Sequence, residues 1–386
     1  MSARSLRVAL ASAVVLSLLA GCGGSGSDAG GPAAPSKLDH GNYPTVPRDL
    51  EKERTPETGA IQEAIRLAGF VPLPMDLDNR LVFGTAGTKK LTAQHPPVGW
   101  VDPNDKFAEV VPGLIAGWRT KGSRRTQAHL GLNVELSLLR FGSAEQATHA
   151  MNVLPGETHK KYPPKGPLEI PGYPGQTFHT QFDAVESWIA RGDLLVKIYV
   201  SNALAVPPDP APLLDTAKRF LDKQFELLKG YTPTPVDKLP DLPVDPEGLL
   251  ARTLPVDKPG TYDDPTGVYP VAAELHLRTR PDLMRRTYTD ARVDLIATAG
   301  SQLYRTGDPA AAQRLLAALT AAVPTDFAPY DSPPGLPDAK CFKKRIGVSL
   351  TCYLTYEHLL AEVVAAQPQD LNQRLAAQYK LLVHGR

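Results

Sequence analysis

The sequence predicts an α+β protein built from two tandem related β-α-β-β-α units, each an antiparallel sheet with helices packed on one face. Three observations lead to this prediction. Helix-capping residues precede alanine-rich segments with helical spacing, short apolar runs flank a glycine turn, and both patterns recur in the second half of the chain. The length of 386 residues suits two domains of about 100 to 200 residues each.

A strand, a cap and a helix recur at a fixed offset of 165 residues. The matching pairs are Arg140 with Arg305, Gly142 with Gly307, Ala147 with Ala312 and Leu154 with Leu319. Ser143 falls on Asp308, and both side chains are good helix N-caps. Each copy is therefore predicted to be a strand that leads through a cap into an amphipathic helix.

The same offset relates two segments that are predicted to be β-hairpins. It pairs Ile189, Leu194, Leu195 and Ile198 with Leu354, Leu359, Leu360 and Val363, and the first hairpin turns at Arg191-Gly192-Asp193. The offset then drops to 154, where residues 224–228 match residues 378–382 in a final helix. A separate helix is predicted from Pro56 to Ala68, with Ile61, Ala64, Ile65 and Ala68 on one face. These registers indicate an internal duplication.

Composition divides the chain into five segments. We predict a lipoprotein signal peptide at residues 1–21 and a flexible linker at 22–38, because Gly, Ser, Ala and Pro dominate after Cys22. An N-terminal α+β domain at 39–230 is followed by a Pro-rich linker at 231–260, expected to be extended and semi-rigid. A C-terminal α+β domain at 261–386 completes the chain.

The amino terminus has the pattern of an export signal. Arg4 and Arg7 precede an apolar stretch from Val8 to Ala20 that is shorter than the roughly 20 residues of a spanning helix. It ends in Leu19-Ala20-Gly21-Cys22, which closely resembles the bacterial lipobox. We therefore expect lipid on Cys22 and a protein held at the extracytoplasmic face of the cell membrane, since acyl chains anchor strongly. Cleavage elsewhere, with release of a secreted protein, is the alternative.

With Cys22 assigned to lipid, Cys341 and Cys352 remain in an oxidising compartment. We expect them to form a disulfide. A redox-active role is the alternative, but the C-x-x-C spacing is absent.

Several segments of the sequence carry a resemblance. The run from Asp39 to Asp49 (DHGNYPTVPRD), the helix from Ala60 to Gly69, the strand at Val293-Asp294 leading to Tyr304-Arg305 and the Gln378-Tyr379 ending are its main parts. They resemble a two-domain lipoprotein family of unknown function from actinomycetes such as mycobacteria and nocardiae. The resemblance spans most of the mature chain and implies two domains in the cell envelope. It supplies no activity or catalytic residues, and Asp39-His40 departs from the Asp-Thr expected there.

The sequence provides no recognisable catalytic motif. It lacks G-x-S-x-G, S-x-x-K and H-E-x-x-H, so no catalytic residue, metal or cofactor is predicted. Asp76-Leu77-Asp78-Asn79 begins like a calcium loop, but Arg80 stands at a ligand position. Loss of Arg4 and Arg7 with the signal leaves 40 basic against 41 acidic side chains, and this balance argues against nucleic-acid binding.

Six residues are candidate ligand or anion contacts: Trp118, Arg119, Lys121, Arg124, Arg125 and His276. A second basic cluster, Lys343-Lys344-Arg345, lies between the two cysteines. Such clusters could contact acidic headgroups or anionic wall polymers, but they could equally be solvated loops. Trp100, Trp118 and Trp188 could line a groove or belong to the core. His276, expected on a strand, could face a pocket or be a hydrogen-bonded structural histidine.

These observations favour a membrane-anchored envelope lipoprotein that acts as a ligand-binding or protein-interaction module. Its partners would be the membrane, through Cys22, and an envelope lipid, glycan or protein. An enzyme without a recognisable motif and a structural wall component are the alternatives. An apolar cavity between helix and sheet would favour binding, whereas titratable groups that converge in a cleft would favour catalysis.

Overall fold

The computed structural model describes residues 34–84, 89–127, 130–257 and 265–385. The predicted signal peptide at 1–21, Cys22 and most of the predicted linker at 22–38 lie outside these residues. Within the described ranges, no helix combines the length and the apolar character needed to cross a membrane.

The helices and strands of the described chain form two similar sets. The helices are α1 (Pro56–Ala68), α2 (Pro74–Leu77), α3 (Phe107–Val110), α4 (Ala144–His159), α5 (Ala211–Leu227), α6 (Val271–Glu274), α7 (Pro281–Asp290), α8 (Pro309–Ala321) and α9 (Pro368–Val383). The strands of the first set are β1 (Lys90–Thr92), β2 (Leu114–Ser123), β3 (Leu132–Phe141), β4 (Gly166–Leu168), β5 (Gln176–His179), β6 (Ala184–Arg191) and β7 (Leu194–Asn202). Those of the second are β8 (Gly267–Pro270), β9 (Leu295–Thr298), β10 (Gln302–Arg305), β11 (Phe327–Tyr330), β12 (Lys340–Lys344), β13 (Leu350–Tyr356) and β14 (Leu359–Ala365).

The described strands form two antiparallel sheets of seven strands with the same topology. The first has the order β1-β2-β3-β7-β6-β5-β4, and the second has the order β8-β9-β10-β14-β13-β12-β11. Each strand of the second sheet is thus the counterpart of the strand seven places earlier. The predicted α+β class, with two tandem related antiparallel units, is confirmed.

Strand registers agree with the offset found in the sequence. Arg140 of β3 lies opposite Leu194 of β7, and Arg305 of β10 lies opposite Leu359 of β14. Further along the chain, the side-chain amide of Gln224 donates to the carbonyl of Phe70 at 2.7 Å. Its counterpart Gln378 donates to the carbonyl of Arg252 at 2.8 Å. Both offsets therefore correspond to equivalent positions in the two folded units.

Each unit contains more strands than the sequence predicts. The predicted β-α-β-β-α pattern corresponds to β3, α4, β6, β7 and α5, and to their counterparts in the second unit. Two strands before the pattern and two inside it were not part of the prediction, except that a strand was expected at Val293-Asp294, and β9 begins directly after these residues. These strands are mostly short or polar; β4, for example, is the three residues Gly166–Leu168, which carry little periodicity.

Helices cover both faces of each sheet, where the sequence predicts helices on one face. In the first unit α1 and α5 pack on one face with Leu136 and Leu138, while α4 packs on the other with Leu139. The second unit repeats this arrangement with α9 and α8 on opposite faces. The reason is that adjacent strand residues point to opposite faces, and both Leu138 and Leu139 are fully buried.

Local signals place several elements at their predicted positions. The helix predicted from Pro56 to Ala68 is confirmed as α1, capped by the Thr55 hydroxyl. Ser143 and Asp308 accept hydrogen bonds from the backbone N–H groups of Gln146 and Ala311, as their predicted capping roles require. The first hairpin turns at Gly192, whose φ of 58° lies in the left-handed region that glycine favours.

The Pro-rich segment at 231–260 packs against both units, although its composition predicts an extended connection. Where it is described, it forms short 3₁₀ helices at Val236–Asp241 and Leu250–Arg252, and Leu239 and Leu254 are buried. Gly59 of α1 lies so close to it that a Cβ there would be 2.1 Å from the carbonyl oxygen of Leu239. Leucines between the prolines supply the apolar side chains that fix this segment.

The two units share part of a core. Tyr269 and Ala273, which follow the start of the second unit, are buried in the core of the first with α1 and α5. The Tyr269 ring lies 6.5 Å from the ring of Trp118. A shared apolar core of this kind fixes one unit against the other.

Cys341 and Cys352 form a disulfide with a Cα–Cα distance of 4.1 Å, as predicted. The two residues lie directly opposite each other on β12 and β13. The bond therefore ties together two neighbouring strands near the edge of the second sheet.

Candidate functional site

An apolar cleft of about 410 Å³ lies where the two units meet. Its walls come from α1, from the segment that connects the units, and from the first strands of the second unit. The lining residues are Gln62, Ile65, Arg66, Gly69, Phe70, Leu242, Pro243, Pro246, Val268, Pro270, Ala273 and Leu295. This volume falls within the roughly 300 to 1,000 Å³ of small-molecule sites, which also occur preferentially at domain interfaces.

Helix α1 supplies the polar groups of the cleft. Gln62 and Arg66 are one helical turn apart and therefore lie on the same face, beside the apolar side chain of Ile65. The Gln62 amide donates to the carbonyl of Val244 at 3.2 Å, and Arg66 donates to the carbonyl of Thr232 at 3.1 Å. The cleft thus combines an apolar interior with an amide and a guanidinium at one side.

The opposite wall belongs to the second unit. Val268 on β8 and Ala273 on α6 are buried, while Leu295 at the start of β9 is half-buried. Pro243 and Pro246 of the connecting segment complete the enclosure. Because proline and aliphatic side chains offer no hydrogen bonds there, the cleft favours an apolar group.

A buried ion-pair network fixes the wall that α1 forms. Glu63 is fully buried and accepts hydrogen bonds from Arg140 at 2.8 Å, from the Thr234 hydroxyl at 2.8 Å, and from the Tyr231 hydroxyl. Arg140 also donates to the carbonyl of Thr234 at 2.6 Å. Burial alone would raise the pKa of Glu63, but the hydrogen bonds from Tyr231 and Thr234 outweigh it, and the pKa lies below its ordinary value. The network connects α1, β3 and the connecting segment.

Two of the six residues singled out in the sequence lie inside the protein. Trp118 is fully buried on β2, and His276 is buried against it with a ring separation of 5.9 Å. The expectation of a strand at His276 is wrong, because this residue lies on the 3₁₀ helix Leu275–Leu277. Its Nδ1 is 2.8 Å from the Thr120 hydroxyl, and burial lowers the pKa of its imidazole to about 3. His276 therefore joins the second unit to the first in its neutral form.

Arg119 and Lys121 lie on the other face of β2. In the strand register Arg119 is opposite Ser137, which in turn is opposite Lys197. The Trp100 ring covers this row, with the Arg119 guanidinium carbon 5.9 Å and Lys197 Nζ 5.1 Å from its centroid. Among the described groups, the buried Ser137 hydroxyl has no hydrogen-bond partner. Lys121 is half-buried opposite Glu135.

Lys197 of this row belongs to a second buried ion pair. Its Nζ is 3.0 Å from Glu186 Oε1, and the His159 ring nitrogen Nε2 is 2.7 Å from Glu186 Oε2. Burial would raise the pKa of Glu186, but the charge of Lys197 and the bond to His159 lower it to about 2. Glu186 therefore remains ionised across the physiological pH range.

Arg124 and Arg125, in the loop after β2, have different surroundings. Arg124 donates to Asp78 at 3.2 Å, while Arg125 is exposed. A hydrogen bond from Arg80 at 2.9 Å is the largest influence that holds the pKa of Asp78 below its usual range. The six residues therefore do not line one site: two are internal, two lie on the opposite sheet face and two are in a loop.

The second unit contains its own buried polar cluster. Glu274 is fully buried beside Arg278, and burial raises the pKa of its carboxyl. The Tyr304 hydroxyl donates to Gln302 Oε1 at 2.6 Å and lies 3.2 Å from Glu362 Oε2. None of these side chains lines the apolar cleft. Over the described ranges, no group of three or more His, Cys, Asp or Glu side chains is arranged to hold a metal ion.

The sequence did not reveal the cleft. It predicted α1 and its apolar face, including Ile65, but it did not indicate that Leu242 and Leu295 would approach that face. The available signal was the proline-rich segment next to Leu242, since prolines with interspersed leucines can pack as well as connect.

The fold and the cleft define a class: a duplicated two-domain α+β protein with an interdomain cleft. A family model described as Domain of unknown function (DUF7373) N-terminal matches residues 50–244, and one described as Domain of unknown function (DUF7373) C-terminal matches residues 249–385. The chain belongs to the DUF7373 family.

Comparison with other proteins adds little to this assignment. No curated protein matches the chain significantly. Among solved structures, the extracellular domain of PknH from Mycobacterium tuberculosis is similar at 10% sequence identity, over 42% of this chain and 96% of that chain, with a TM-score of 0.29. A likeness at that score supports no inference about fold or function.

Proposed function

We propose that this protein is a lipoprotein of the actinomycete cell envelope, anchored through Cys22, that binds an amphipathic small molecule in the interdomain cleft. The apolar part of the ligand would occupy the space between Ile65, Val268 and Leu295. Its polar part would lie beside Gln62 and Arg66. The envelope location rests on the lipobox and on the resemblance to actinomycete lipoproteins.

The observation that supports binding is the composition of the cleft. Ten of its twelve lining residues are apolar or glycine, and the two polar ones are adjacent on α1. Ligand pockets typically have this apolar lining with a small number of orienting polar groups. The carboxyls Glu63, Glu186 and Glu274, whose pKa values are shifted, are instead held in ion pairs inside the protein. This distribution favours a binding protein over an enzyme.

Replacing Leu295 with tryptophan should weaken ligand binding at least about tenfold, because the indole would fill space that the ligand needs. The probe is dansyl-undecanoate, an amphipathic fluorescent fatty acid, titrated into the purified protein. Leu295 is half-buried at the cleft, so the larger ring can be accommodated by displacing the ligand rather than the core.

Leu319→Trp is the matched control. Leu319, on α8, is also half-buried, but it packs against the apolar cluster between α8 and the second sheet and does not line the cleft. This variant should bind the probe as the unmodified protein does. An unmodified protein without saturable probe binding, or two variants that lose affinity equally, would contradict an amphipathic ligand in the cleft. Native mass spectrometry of protein purified from its own envelope would then identify the natural ligand.

The anchor has a separate test. Cys22→Ala, expressed in the native host, should lack the mass of the acyl chains and should leave the membrane fraction, because nothing else at that position can be acylated. Intact mass measurement and fractionation follow both properties. A variant that keeps its lipid and its membrane association would refute acylation of Cys22.

A further inference from the structure

The loop between β12 and β13 exposes two large aliphatic side chains. Ile346 is 87% exposed and Val348 is 70% exposed, and they flank Gly347 at the tip of the hairpin. Single exposed apolar residues are common, but two on one narrow tip present a concentrated apolar surface to solvent.

Basic side chains lie beside this tip. Lys343 and Lys344 are the last two residues of β12, and Arg345 follows directly. Lys344 Nζ is 3.6 Å from Asp326 Oδ2, a long and exposed ion pair, and Lys343 Nζ is 5.8 Å from the centre of the Tyr330 ring. One carboxylate beside three basic groups leaves the tip positively charged.

The tip is held on a stiff support. The Cys341–Cys352 disulfide joins β12 and β13, and β11 pairs with β12 along Phe327–Tyr330. The backbone N–H of Arg345 also donates to the carbonyl of Asp326 at 2.7 Å. The strands therefore hold the loop in one position, so the loop would lose little conformational entropy on binding a surface.

We propose that the 345–349 tip docks onto an anionic lipid bilayer. Ile346 and Val348 enter the boundary between headgroups and acyl chains, while Lys343, Lys344 and Arg345 contact the anionic headgroups. A soluble polyanion would explain the charges but would give Ile346 and Val348 no apolar environment. A bilayer with anionic lipids satisfies both, as for other peripheral proteins that combine apolar and basic residues.

The position of the tip is compatible with the proposed anchor, although this step alone rests on acylation of Cys22. Ser36 and His384 line one small surface cavity, so the described chain begins near the C-terminal end of α9. The tip lies near the other end of α9, since Leu350 pairs with Ala365, which shortly precedes that helix. The 16 residues of α9 extend about 24 Å. The 12 residue-to-residue steps from Cys22 to Ala34 span at most about 40 Å, enough to bring the tip to the same membrane.

The test uses the chain from residue 22 onward with Cys22→Ala, so that acylation contributes nothing. Flotation with phosphatidylcholine vesicles is compared with flotation on vesicles of phosphatidylcholine and phosphatidylglycerol. We expect binding to the anionic vesicles, and a loss of about tenfold in partitioning for Ile346→Ser with Val348→Ser and for Lys343→Gln with Lys344→Gln. The matched control is Leu204→Ser with Val206→Ser, which removes two exposed aliphatic residues from a loop of the first unit.

Each outcome decides the proposal. Loss in both tip variants with retention in the control supports docking, and Ile346→Trp should then show a blue-shifted emission only with anionic vesicles. Loss in the lysine variant alone would indicate binding to polyanions and would overturn insertion of the tip. Absence of binding by the parent chain, or equal loss in the control, would also overturn it. Thermal unfolding of every variant verifies that the fold is retained.

Discussion

Replacing Arg140 with methionine should lower the free energy of unfolding by about 3 to 5 kcal/mol. The side chain of Arg140 is only 4% exposed and pairs with the fully buried Glu63. Without Arg140 the buried carboxylate of Glu63 keeps only Arg66 as a counter-ion, and the Arg66 side chain is partly exposed to solvent. Loss of the buried partner is the usual cost of breaking a buried pair. Urea unfolding followed by tryptophan fluorescence measures the change.

The duplication supplies the matched control. Arg305 occupies the position equivalent to Arg140, but its side chain is 28% exposed. It pairs with Asp294, whose side chain is more than half exposed, and with Glu247, whose side chain is about half exposed. Arg305→Met should therefore cost no more than about 1 kcal/mol, since solvent screens exposed pairs. Equal losses for the two variants would contradict the distinction between a buried and an exposed copy.

A second effect of Arg140→Met should appear in the cleft. Glu63 lies on α1 between Gln62 and Arg66, and Arg140 holds it against the connecting segment through Thr234. We expect weaker binding of the dansyl-undecanoate probe when this network is broken, because the wall of the cleft loses its fixed position.

Acidification should destabilise the protein through His276. The pKa of this histidine falls from an ordinary 6.5 to about 3 in the folded state, chiefly because burial penalises the charged ring. Between these two pKa values, His276 is protonated in the unfolded chain and neutral in the folded chain. The stabilisation is complete above pH 6.5 and is lost as pH falls toward 3. Between pH 7 and pH 4.5 the loss amounts to about 2 to 3 kcal/mol.

The His276→Gln variant should lose most of this pH dependence, since glutamine does not titrate and can still bond to the Thr120 hydroxyl. His149→Gln is the control, because His149 is exposed on α4 and should leave the pH profile unchanged. Unfolding curves are compared between pH 7 and pH 4.5. Any contribution from Glu186, which begins to protonate in the unfolded chain near its ordinary 4.5, is then common to the parent chain and both variants. Parallel pH profiles for the parent chain and His276→Gln would show that another group is responsible.

The sequence by itself determined the repeated architecture and its local signals. Periodicity located α1, the caps at Ser143 and Asp308 began their helices, and the fixed offset predicted that Arg140 and Arg305 would be equivalent. With Cys22 assigned to lipid, the two other cysteines were predicted to form the disulfide that the structure contains. These features depend on residues close in the chain or on repetition, and both can be read directly from a sequence.

Only the tertiary structure decided the second helix layer, the shared core and the cleft. The cleft joins residues as distant in the chain as Gln62 and Leu295, and the buried pair joins Glu63 to Arg140. The tertiary structure also showed that Trp118 and His276 are internal, whereas Arg119 lies on the opposite face of the sheet. The physical reason is that burial and pairing depend on how the two units pack, while periodicity reports only which face of a single element is apolar.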